Sequence, residues 1–150
     1  MSVPGGGRLA LLTTAAALAL SGCVTPATGS DSYHDKAVTS VRAAQSEVAT
    51  AALTVRLMRH GRILQPYADE TVTASETATG AIAATFASVQ PPAGDDRLRD
   101  DVGSLLSDAQ DAVGHARIAV RRADPGALRR VAAELASVTK DLARADRSLG

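Results

Sequence analysis

The chain has 150 residues, with 16 basic and 16 acidic side chains and therefore a formal net charge of zero. That balance gives no global pull towards nucleic acid or an anionic membrane surface. A single cysteine excludes an internal disulfide, and three aromatic residues (Tyr33, Tyr67 and Phe86) are too few to wall a large apolar pocket.

Met1 to Arg8 form a short, weakly basic start, followed by an apolar run from Leu9 to Leu20. The run has the length of a signal-peptide core and falls short of the roughly 20 residues that span a bilayer. Leu20-Ser21-Gly22-Cys23 follows at once. An aliphatic residue, two small residues and a cysteine resemble the lipobox of bacterial lipoprotein precursors. The resemblance implies diacylglyceryl transfer to the Cys23 thiol and cleavage between Gly22 and Cys23. It also implies a cell-membrane location, on the extracytoplasmic face. Two acyl chains suffice for stable anchoring. The resemblance covers residues 1–23 and is silent on the remainder.

The expected organisation is a lipoprotein signal peptide over 1–22, a lipidated flexible tether over 23–31 and one all-α domain over 32–150. The tether expectation rests on the Pro, Gly, Ser and Thr content of Val24 to Ser30, which buries little apolar surface.

The spacing predicts a first helix over about 32–64. Ser32 is placed to cap its start. Val41, Ala44, Val48, Ala51, Val55 and Met58 recur at steps of three and four, one face of a helix. Leu53, Leu57 and Leu64 are read as widening that stripe, and Pro66 as breaking it. A second helix is predicted over about 66–90, with Pro66 in its first turn. Its stripe is Val72, Ser75, Thr79, Ile82, Phe86 and Val89. Threonines and Gly80 make it a poor helix former, so a strand competes. No second strand-like run exists to pair with it. Pro91-Pro92-Ala93-Gly94 ends it.

A third helix is predicted over about 95–122, with Val102, Leu106, Ala109, Val113, Ala116 and Val120 on one face. Asp124-Pro125-Gly126 is a tight turn, with Asp124 as N-cap of a fourth helix over about 125–148. Leu128, Val131, Leu135, Val138, Leu142, Ala145 and Leu149 form its unbroken heptad seam. Four amphipathic helices joined by short turns predict an antiparallel up-down-up-down four-helix bundle.

Chemistry-bearing motifs are sparse. The histidines, His34, His60 and His115, stand in no H-x-x-x-H or E-x-x-H arrangement. A di-iron site needs more glutamates in helical register than Glu47, Glu70, Glu76 and Glu134 provide. There is no haem-attachment motif, nucleophile elbow or phosphate loop. No catalytic residue, metal ligand or cofactor is expected. His115 lies one turn after Asp111 and is read as a solvated contact with it. The acidic run Asp95 to Asp101 is read as carboxylates favoured at a helix N-terminus.

One asymmetry stands out. In such a bundle the first and third turns share an end. That end collects Arg56, Arg59, Arg62, Arg117, Arg121, Arg122, Arg129 and Arg130, offset by Asp69, Glu70 and Asp124. The opposite end carries the tether and the acidic run. The expectation is a non-enzymatic interaction or scaffold lipoprotein whose basic tip meets an envelope protein or anionic polymer. The competing expectation is a module that holds a small molecule or metal between helices.

Overall fold

The computed structural model describes residues 29–150. The expected signal peptide, the Gly22–Cys23 cleavage site and the tether up to residue 28 lie outside the described residues. Four helices form: α1 (Ser30–Arg59), α2 (Gln65–Ala87), α3 (Asp96–Arg122) and α4 (Pro125–Leu149). Among the described residues there is no strand, and α2, the weakest helix by propensity, is helical throughout.

α1 begins two residues before the expected start, so Ser30 and Asp31 belong to the helix and not to a tether. Ser32 is not its cap. Gly29 takes the N-cap position, with no side-chain hydrogen bond there. The Ser30 hydroxyl instead donates to Asp95 Oδ2 at 2.8 Å, tying the start of α1 to the start of α3.

α1 also stops earlier than expected, at Arg59 rather than Leu64. Gly61 turns left-handed, with φ of 64°. Its N–H donates to the Met58 carbonyl at 3.0 Å, and the Arg62 N–H donates to the Leu57 carbonyl at 2.8 Å. This paired closure satisfies the last free carbonyls and needs a residue without Cβ at its bend. Leu64 then adopts an extended ψ of 145° as N-cap of α2, with Pro66 in the first turn. α2 ends at Ala87, short of the expected Gln90, because Pro91 and Pro92 cannot extend the ladder.

α3 ends in a left-handed residue that is not glycine: Ala123, φ 49°. Asp124 caps α4 as expected, its Oδ1 accepting from the N–H groups of Gly126 (2.7 Å) and Ala127 (3.1 Å).

The expected stripes meet in one core. Every residue read on the α3 face is buried. The α4 seam is buried from Leu128 to Leu142, with Ala145 and Leu149 partly covered against it. On α1 the buried face runs from Tyr33 through Val55, while Leu53 and Leu64 are exposed and do not widen it. The α1 stripe starts a full two turns before Val41, at Tyr33 and Ala37. α2 contributes Val72 and Phe86 but also two polar side chains, Ser75 and Thr79. The Thr79 hydroxyl is satisfied within its own helix, donating to the Ser75 carbonyl at 2.6 Å.

Cross-helix contacts run start to end. Tyr33, early in α1, stacks at a tilt on Phe86, late in α2, with ring centroids 5.6 Å apart. Gln65, at the start of α2, donates to the Arg121 carbonyl near the end of α3 at 2.9 Å. Arg42, early in α1, pairs with Asp146, late in α4, at 2.6 Å. Sequence neighbours are therefore antiparallel. α1 packs on all three other helices and α3 does likewise, whereas α2 and α4 do not touch.

Candidate functional site

This topology brings the α1–α2 turn (residues 60–64) and the α3–α4 turn (residues 123–124) to one end. The Gln65–Arg121 hydrogen bond joins them directly. A cleft between the end of α1 and the start of α4 is lined by Met58 and Arg59 on one side and by Pro125, Leu128 and Arg129 on the other. Beside it, a groove between α3 and α4 is lined by Arg122 and Arg130, with His115 and Glu134 further along. Both clefts open to solvent.

The eight arginines read from the sequence divide into two groups. Arg117 is partly buried and forms an ion pair with Glu76 on α2. Arg121 lies 3.5 Å from Asp69 on α2. Arg117 ties α3 to α2 through a hydrogen-bonded ion pair, whereas Arg121 only approaches Asp69, whose Oδ1 takes no hydrogen bond among the described residues. The Arg117 partner was missed from sequence, because Glu76 faces α3 only once the two helices are in register. Arg56, Arg59, Arg62, Arg122, Arg129 and Arg130 are exposed and form no ion pair among the described residues.

Two of them crowd together. A point one Cβ bond from Gly126 lies 3.5 Å from Arg130 Nη1 and 4.0 Å from Arg129 Nη2. The two guanidinium groups thus converge over the first turn of α4, where the helix dipole is also positive. Asp124 lies beside them. The N–H groups of Ala127 and then Gly126 hold its carboxyl below the usual aspartate value, so it stays ionised while it caps the helix.

His115 does not pair with Asp111 as the sequence suggested. Its Nδ1 lies 2.9 Å from Glu134 Oε1 on α4. That hydrogen bond, and the charge of Glu134, raise its pKa. The contact crosses helices, so residue spacing gave no sign of it.

The opposite end carries the acidic run, partly neutralised from within. Arg99 pairs with Asp100 at 2.9 Å and approaches Asp96 at 3.5 Å, and Arg97 approaches Asp101 at 3.7 Å. Among the described residues no group of three His, Cys, Asp or Glu side chains is placed to hold a metal ion. No described helix is long and apolar enough to cross a membrane. A groove of about 680 Å³ lies between α2 and α3, where Gly80 and Gly103 leave space beside Arg99 and Gln110.

Sequence reading also missed two apolar side chains at the basic end. Leu64 is 69% exposed and Tyr67 67% exposed. The apolar pattern of α1 continues to Leu64, but the turn at Gly61 takes it off that helix. Tyr67 belongs to no stripe of α2, the signal that would have marked it as a surface residue. Compared with protein-family models, curated proteins and solved structures, the chain matches none.

Proposed function

We propose that the protein is a lipid-anchored, non-enzymatic interaction or scaffold protein of the cell envelope, which engages an anionic partner through the arginine-rich end of its bundle. The observation that carries the reading is the gathering of exposed arginines from two separate turns at one end, without acidic partners among the described residues. Helix-dipole compensation accounts for basic residues at the ends of α1 and α3. It does not account for Arg129 and Arg130, which begin a helix. The anchor itself rests on the Leu20–Cys23 motif.

Two measurements test the halves of the proposal. Metabolic labelling with a lipid precursor should mark the wild-type chain and spare Cys23→Ser; equal labelling of both would remove the anchor. Retention of an envelope-derived anionic ligand should weaken with salt and be lost on changing Arg59, Arg122, Arg129 and Arg130 to Glu. Equal retention by that variant would assign the arginines to solvation alone. Arg117 and Arg121 are left unchanged because their loss would also loosen α2 from α3.

The groove between α2 and α3 favours a second reading, a small molecule held between helices. A ligand there would raise the melting temperature in proportion to its differential binding to the folded state.

A further inference from the structure

Leu64 and Tyr67 have no part in a purely electrostatic tip. Single exposed apolar side chains are ordinary on any surface. Here two large ones sit on one short segment, at the same end as Arg59, Arg62, Arg121, Arg122 and Arg129. A soluble polyanion recognises charge and has no use for them. A folded protein partner would use them but needs area. Four helices spaced 8–10 Å apart give a bundle end on the order of 20 Å across, or about 400 Å², half the roughly 800 Å² that each side of a standard interface buries.

A lipid bilayer asks for neither area nor shape. Tyrosine and leucine sink to the boundary between headgroups and acyl chains, while arginines lay their stems along it and reach lipid phosphates. The acidic run at the other end would be repelled by the same surface, which sets the approach end-on. We propose that the basic end of the bundle, with Leu64 and Tyr67 at the α1–α2 turn, docks on an anionic lipid surface. This rests on the basic end being the functional one. α1 has 30 residues, about 45 Å of helix. The seven residue steps from Cys23 to Ser30 reach at most about 25 Å, so with the anchor in place an end-on tip meets a lipid surface other than the one that holds the anchor.

The test uses residues 29–150, with a helical spectrum and a cooperative melt checked first for every variant. The chain is sedimented with vesicles of phosphatidylcholine containing phosphatidylglycerol, and with vesicles of phosphatidylcholine alone. Leu64→Ser with Tyr67→Ser removes the apolar pair. The fold should tolerate this, since both side chains are mostly in water and serine is a favoured N-cap at position 64. Arg59, Arg122, Arg129 and Arg130→Glu removes the charge.

The expected result is binding to the anionic vesicles only, falling about tenfold or more in either variant and at high salt. A wild-type chain that fails to sediment, or a serine pair that binds as well as wild type, overturns the lipid docking. Soluble polyphosphate separates the two levels. If it binds wild type and the serine pair but not the glutamate variant, while vesicles bind none, the basic end keeps its role and the lipid proposal falls. If no anionic probe binds, both fall. A protein captured through Leu64 and Tyr67 without vesicle binding also overturns the lipid proposal.

Discussion

The Tyr33 hydroxyl is sealed in the core with no hydrogen-bond partner among the described residues. Burial raises its pKa; Arg99 opposes that rise, and Asp95, Asp100 and Asp96 add to it. The ring is worth keeping, since it packs on Phe86, but an unpaired buried hydroxyl is a cost. Tyr33→Phe should therefore stabilise the fold, by up to about 1 kcal/mol. A lower melting temperature in that variant would reveal a partner for the hydroxyl. His115 behaves oppositely. Its pKa is raised in the fold by Glu134, so it contributes stability below the ordinary value of 6.5 and loses that contribution as pH rises through the raised value. The side chain is 58% exposed, which keeps the effect small, under about 1 kcal/mol. Melting of His115→Gln should fall below wild type at pH 5.5 and match it at pH 9. A gap that persists at pH 9 would mean the ring matters by packing and not by charge.

At the scale of the element, the two turns of the basic end solve one problem in different ways. Gly61 meets its left-handed bend freely, whereas Ala123 meets φ 49° with a Cβ that opposes it. Ala123→Gly should raise stability by about 1 kcal/mol, read from a denaturant midpoint with unchanged slope. A loss would show that chain entropy outweighs the strain. The same turns mark how far sequence reading reaches. The main stripes of α3 and α4 were legible, because strict three- and four-residue steps leave one face available to a core; Ala112 and Ala119, which widen the buried face of α3, lie off that stripe. The end of α1 was not, because Leu64 continues the apolar pattern by coincidence while Gly61 has already turned the chain. The arginines of the basic end were legible as a set, since topology alone places the turns together. Which of them are spent on Glu76 and Asp69 was not, since that depends on the register between α2 and α3.

For the whole molecule, the helices contribute unequal shares to the interior. α4 supplies Leu128, Leu135 and Leu142, whereas α2 contains no leucine and supplies Ser75 and Thr79 among its buried residues. Less apolar area leaves water on folding α2, at about 25 cal/mol per Å². Native-state hydrogen exchange should therefore release the α2 amides first and those of α4 late. Equal protection of the two helices would refute that order.

Because α1 meets α3 across the interior while α2 and α4 stay apart, the cross-section is a rhombus and not a square. Its short diagonal is a wall that divides the interior into two three-sided prisms, α1-α2-α3 and α1-α3-α4. α2 and α4 each fill one prism and share no contact. A change on α2 therefore reaches α4 only through that wall, and the contacts of α2 with Arg117 and Arg121 stay within its own prism.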